Sequence, residues 1–162
     1  MSEKASLQIW RIGVDTPTYE AHDMQGEGAR ISGGRWNRKG HPMVYAASSR
    51  ALACLETVVH LQSGSLPLNS YLVEITLPES LWQAATVLQH DSLIGWDALP
   101  PGKVSLDWGD NWLAQQQSAI ALVPSIVIPE EYCVLLNPEH PDSRQISAKK
   151  IRRWLYDHRI KT

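Results

Sequence analysis

Ser32-Gly33-Gly34-Arg35-Trp36-Asn37-Arg38-Lys39 opens the stretch on which the reading of this chain turns. Two adjacent glycines let the backbone turn tightly and lie close to another group. A guanidinium, a large aromatic and a carboxamide follow at once. Further on, Met43-Val44-Tyr45-Ala46-Ala47 is a short apolar run that predicts a strand. Ser48 and Ser49 can cap a helix that begins near Arg50 and runs to about residue 62. Leu52, Leu55 and Val59 would form its buried stripe, widened by Ala51 and Val58, with Gly64 and Pro67 closing it. The helix carries Glu56 at the edge of that stripe. One loop–strand–helix unit thus delivers an arginine, a tyrosine and a partly desolvated glutamate, a combination suited to an anionic ligand and a developing positive charge.

The bulk properties narrow the alternatives. At 162 residues the chain fits a single domain, 1–162, with enough length to bury a core. Seven Trp and five Tyr stand against no Phe, so most large aromatics carry a polar handle suited to pockets and interfaces. A net charge of −2 provides no field for nonspecific nucleic-acid binding. The basic run Lys149-Lys150-Ile151-Arg152-Arg153 is read as a solvated face. Cys54 and Cys133 are too far apart and too few for a disulfide framework, and the histidines form no zinc motif, so no metal or cofactor is expected. The N-terminal residues lack the apolar core of a signal peptide, and no apolar run reaches membrane-spanning length. The expectation is a cytoplasmic protein without membrane contact.

Taken in order, Leu7–Ile12 predicts a strand with Arg11 on the face opposite Trp10 and Ile12. Residues 13–31 read as a polar loop. Tyr71–Leu77 is the clearest β pattern. Leu81-Trp82 begins a short helical turn, Pro100-Pro101-Gly102 is a breaker, and Asp110 is placed as the cap of a helix ending at Gln117. Three strands are then expected, over 120–123, 126–128 and 132–136, the last stopped by Asn137-Pro138. Strands outnumber the scattered helices, which predicts an α+β domain with a mainly antiparallel sheet.

Each candidate residue carries two readings. Glu56 is either a boundary glutamate reaching water or a desolvated carboxylate facing a cation or hydroxyl. Arg35 either pairs with a surface carboxylate or joins backbone N–H groups on phosphate oxygens. Arg11, inside a strand, needs a partner if buried, and a bound anion is one. Tyr45 faces a cleft or packs in the core. Ser125 follows Pro124 between two apolar runs. It has no GxSxG elbow, and the glycine pair has no GxGxxG or GxxxxGK[ST] context, so neither a serine hydrolase nor a common nucleotide fold is indicated.

Arg35 in GGRWN, the segment VYAASSRALACLE ending at Glu56, and Ser125 ahead of a strand ending in Asn137-Pro138 resemble the RES-domain family. That family is named for an arginine, a glutamate and a serine, and the likeness spans nearly the whole chain. It implies an ADP-ribosyltransferase-like fold and a bacterial toxin of a type II toxin–antitoxin pair that destroys NAD, which is substrate rather than cofactor. The implied partner is an Xre-type helix-turn-helix antitoxin that blocks the site and represses the operon, so DNA contact would come through the antitoxin. Homodimerisation is left open. Carried onto this chain, Arg11 and Arg35 would hold the NAD phosphates or ribose, and Tyr45 would frame the nicotinamide end. Glu56 would stabilise the ribosyl cation, and Ser125 would bond the substrate or position Glu56.

The acceptor is expected to be water or phosphate. A transferase that modifies a protein target is the alternative, as is a non-catalytic nucleotide-binding module. Replacing Arg35 by Lys keeps the charge but loses the planar two-point fork, so Arg35→Lys is predicted to weaken substrate binding. Steady-state NAD turnover checks this, and an unchanged rate counts against Arg35 as a phosphate or ribose ligand.

Overall fold

A computed structural model describes residues 5–61 and 66–160. Its centre is β1 (Ser6–Val14), whose apolar residues leave on both faces. Ile9 joins a cluster with Val73 and Ile75, whereas Trp10 and Ile12 join another with Leu52 and Ala53. Arg11 therefore sets out from the face opposite Trp10 and Ile12, as the alternation requires.

The other strands are β2 (Val44–Ala47), β3 (Ser70–Pro78), β4 (Thr86–Val87), β5 (Ile120–Pro124), β6 (Tyr132–Leu136) and β7 (Ser147–Arg153). They form one seven-stranded sheet in the order β4-β5-β6-β2-β1-β3-β7. Only the β4–β5 pair is parallel, so the sheet is mainly antiparallel and the domain α+β. The β1–β3 ladder is long, from Ser6↔Pro78 to Val14↔Ser70. By contrast, β1 and β2 pair only at Trp10↔Ala47 and then part. That split matters for the site.

Four α-helices are described: α1 (Glu27–Ser32), α2 (Arg50–Val58), α3 (Glu79–Gln83) and α4 (Lys103–Gln115). None is long and apolar enough to cross a membrane. Ser49 caps α2 as its sequence predicts, its side chain accepting from the Leu52 N–H. The helix ends sooner than expected, at Val58, and Gly64 lies outside the described residues. Its buried face is also rotated. Leu52 and Ala53 pack on Trp10, Ile12 and Ala47, while Leu55 and Val59 are exposed. The reason is that α2 turns a second face, with Glu56 and Val59, toward a cavity rather than a core.

Other expectations also give way. The 13–31 segment contains α1, which buries no residue and so shows no apolar period. Asp110 is not a cap. α4 starts directly after the Pro100-Pro101-Gly102 breaker, leaving Asp110 in mid-helix with its carboxylate on Arg38 and His41. Residues 126–128 form no strand, because the Ser125 hydroxyl accepts from the Val127 and Ile128 N–H groups and holds the chain in a turn. The basic run near the C-terminus is the edge strand β7. Its Lys150 lies over the Tyr71 ring at 4.3 Å and donates to both Asp15 oxygens at 2.9 and 3.0 Å.

The tryptophans build a further core under the glycine–arginine loop. Trp36 stacks on Trp96 with centroids 6.0 Å apart and meets Trp108 edge-on at 5.5 Å. Each such pair adds about 1 kcal/mol beyond the area buried. α4 reaches the loop closely only because residue 109 is glycine: a Cβ there would sit 1.7 Å from the Trp36 carbonyl oxygen. Gly109→Ala should therefore destabilise the fold by about 3 kcal/mol. Gly102→Ala should be near neutral, since its Cβ would meet only the Ala98 methyl at 3.6 Å. Urea denaturation of the two variants checks the contrast.

Candidate active site

A cavity of about 1000 Å³ lies over the part of the sheet where β1 and β2 diverge, between α2 and the glycine–arginine loop. Trp10, Arg11, Gly34, Arg35, Tyr45 and Glu56 all contribute to its wall. Four of the five sequence-predicted site residues are thus brought together from a strand, a loop, a second strand and a helix.

The loop is fixed through Tyr45. Its hydroxyl donates to Asn37 Oδ1 at 2.6 Å and accepts from the Trp36 N–H at 3.0 Å. Burial, the largest influence, pushes the phenol well above its ordinary pKa. A Cβ on residue 34 would stand 2.6 Å from that hydroxyl, so the glycine is required by close approach. Gly33 adopts φ +69°, in the left-handed region. Asn37 is fully buried and spends its amide on the carbonyls of Ala29, Arg38 and His41.

Arg35 leaves this frame toward the cavity. One nitrogen, Nη1, donates to the carbonyls of Trp96 and Ala98 at 3.0 and 2.8 Å, so the segment before α4 helps aim the guanidinium. Desolvation lowers its pKa, with Glu56, Asp97 and Tyr45 acting in the other direction. Leu99 and Pro101 of the same segment line the cavity.

Arg11 reaches the cavity where the strands part. Its Nη1 donates to the Tyr45 carbonyl at 2.7 Å, standing in for a backbone donor of the interrupted ladder. Its Nε is buried with no partner among the described residues. Desolvation is the main influence on this guanidinium and lowers its pKa. A buried donor left unpaired costs about 1–3 kcal/mol.

Glu56 comes from α2 and accepts a hydrogen bond from the Ser125 hydroxyl. Ser125 is wholly buried, and its own oxygen takes the Val127 and Ile128 N–H groups. The hydroxyl proton is therefore directed at the carboxylate. Ser125 stands behind Glu56 and does not line the cavity, so of its two expected roles the geometry fits the positioning one.

Among the lining residues that the sequence reading did not single out are His60, Cys133 and Trp10. His60 follows Glu56 by four residues, a helical-turn spacing that was visible. Cys133 is brought in by its strand, and its thiol is pushed up by burial first and by Glu56 second; no local signal marked it. Trp10 lines the wall, and the Arg50 guanidinium lies over its ring, 3.7 Å from the centroid.

Among the described residues, then, the α+β domain holds a cavity that joins two arginines to a buttressed glutamate, an arrangement of the kind that binding clefts use. The RES domain model matches residues 8–158, and the chain belongs to the RES-domain family. It is 57% identical over 156 residues to the "Prs ADP-ribosylating toxin" of Sphingobium sp. (strain YBL2), covering 96% of this chain and 97% of that one. It is 36% identical over 156 residues to "Toxin Res" of Yersinia enterocolitica, covering 96% and 100%. The structure resembles a chain of the M. tuberculosis MbcT–MbcA toxin–antitoxin complex, with a TM-score of 0.57 over 92% of this chain and 86% of that one. At 18% identity the last likeness bears on the fold.

The loop is tied to α4 as well. Asp110 accepts from the Arg38 N–H at 3.1 Å and from its Nη1 at 2.9 Å, and lies 2.8 Å from His41 Nδ1. Burial alone would raise the Asp110 pKa, but the hydrogen bonds from His41 and Arg38 outweigh it and hold it below the usual value. A depressed folded pKa gives stability present above the unfolded value, about 3.9, and lost as pH falls through the folded one. Thermal melts between about pH 5 and pH 2 should show a smaller acid loss for Asp110→Asn than for wild type.

Proposed function

We propose that this chain is the toxin of a toxin–antitoxin pair, that it breaks the nicotinamide–ribose bond of NAD, and that it passes ADP-ribose to a protein acceptor. The observation that carries the reading is Glu56, held by the buried Ser125 hydroxyl at the wall of a cavity that also presents Arg11 and Arg35. Cleavage develops positive charge on the ribose, as in glycoside cleavage through an oxocarbenium-like state. A carboxylate already fixed in place stabilises that charge without reorganising. Nicotinamide leaves neutral, so its departure requires no acid.

The guanidiniums suit the pyrophosphate. Arg11 Nε, buried and unpaired, would gain an acceptor from a phosphate oxygen. Arg35 keeps nitrogens beyond the one committed to Trp96 and Ala98. Tyr45, its hydroxyl already engaged on both sides, would contribute a ring face at the nicotinamide end. In this reading Ser125 positions Glu56 rather than touching substrate.

The protein acceptor is favoured over water or phosphate by the relative at 57% identity, whose name gives Prs as its target. Small acceptors remain the second reading, because the rim residues Ile31, Val59 and Leu99 are exposed and the mouth admits them. The same apolar rim suits a protein seated on it, and the partner we propose is a helix-turn-helix antitoxin of the Xre type.

Adenylate-labelled NAD, incubated with the protein with and without Prs, tests the reading when nicotinamide, free ADP-ribose species and labelled protein are resolved. Wild type should release nicotinamide and label Prs, and Glu56→Gln should lose at least about 100-fold of that rate. Free ADP-ribose or its phosphate in place of labelled protein would move the conclusion to the second reading. Wild type that leaves NAD intact would overturn both.

A further inference from the structure

The reaction just proposed leaves one proton without a destination. The acceptor, whether a hydroxyl or an amine, must lose its proton as it bonds to the ribose. Nicotinamide does not take it, because the electron pair of the broken C–N bond restores a neutral pyridine ring.

The cavity wall holds few groups able to accept that proton. Arg11 and Arg35 have no lone pair to offer. Tyr45 is committed to Asn37, and its phenol and the Cys133 thiol are both pushed upward by burial, which makes them donors. Glu56 has a lone pair, but its negative charge is needed opposite the ribosyl cation at the moment of transfer. Protonating it then would remove the stabilisation the site is built to give.

His60 remains. Past the end of α2 the chain keeps turning, with Val59 near helical dihedrals and the His60 N–H donating to the Thr57 carbonyl at 3.0 Å. This carries the imidazole one turn beyond Glu56 and onto the same cavity wall. Its neighbour Val59 is half-exposed at the rim, and His60 is itself exposed. His60 and Val59 thus stand at the solvent-exposed end of the wall that carries Glu56.

We propose that His60 is the general base for the acceptor, an assignment that rests on the transferase reading of the same cavity. In the transfer the acceptor X–H bond breaks and its proton goes to the imidazole nitrogen. The X lone pair forms the new bond to the ribose C1′, and the C1′–N bond breaks with its electrons leaving on nicotinamide. Glu56 and His60 then divide the work: one faces the cation, the other activates the nucleophile.

His60→Gln and His60→Ala test the assignment in the Prs-labelling reaction. Both exchange an exposed side chain, and thermal melts matching wild type confirm intact folding. The expected result is a fall of about 100-fold in kcat for transfer, a KM for NAD within about twofold of wild type, and partial recovery of His60→Ala by added imidazole. An unchanged kcat, a loss carried by KM alone, or a defect that imidazole leaves in place overturns the assignment. Wild type that releases no nicotinamide defeats the underlying reading, whereas wild-type transfer with one of those variant outcomes defeats the role of His60 alone.

Discussion

The hydroxyl of Tyr45 joins the glycine–arginine loop to the sheet, and the geometry of the cavity follows from that junction. It donates to the Asn37 side chain and accepts from the Trp36 backbone, so a single oxygen serves the two residues that follow Arg35 in the loop. Trp36 then plugs into the tryptophan cluster, and Arg38 runs to α4. The residues after Arg35 are thereby fixed by burial or by charge, and Gly34 before it donates its N–H to the Asn37 carbonyl. The guanidinium is left to point at the cavity because its neighbours cannot turn away. A glycine at 34 is the condition for the whole arrangement, since any Cβ would collide with the hydroxyl that anchors it.

On the opposite wall the logic is different. α2 is clamped to the sheet by Leu52 and Ala53 and presents Glu56 sideways. The carboxylate is then held by a serine from a turn that the same serine stabilises, so Ser125 shapes its own segment and aims Glu56 at once. The two walls meet over a sheet whose central strands pair at one position only. That split would weaken an ordinary sheet. Here Arg11 closes it from the side by donating to the Tyr45 carbonyl.

What the sequence made legible was what local chemistry decides. The glycine pair, the Ser49 cap and the alternation of β1 and β3 need only a few neighbouring residues to be understood. Arg35, Tyr45 and Glu56 were legible as a unit because they lie within 22 positions of one another on consecutive elements. The misreadings arose where distant partners override local preference. Asp110 is a good cap residue, yet Arg38 and His41 claim it in mid-helix. Ile126-Val127-Ile128 is apolar enough for a strand, yet the Ser125 hydroxyl bends it. β7 carries its charges on an exposed edge, where strands need no apolar period. The stripe on α2 was misjudged because a helix facing a cavity shows its apolar residues on two sides.

The close approach of Gly109 to the Trp36 carbonyl carries a consequence for how such a molecule can diversify. Where backbone meets backbone, any side chain added at residue 109 would collide, so the support behind the glycine–arginine loop leaves little room for substitution. The mouth of the cavity is built the other way, from Ile31, Val59 and Leu99, whose side chains project outward and support little beneath them. Substitution is therefore cheapest at the entrance. On the function proposed above, such a chain could change its protein target and its inhibitor through the mouth while keeping the bond it breaks.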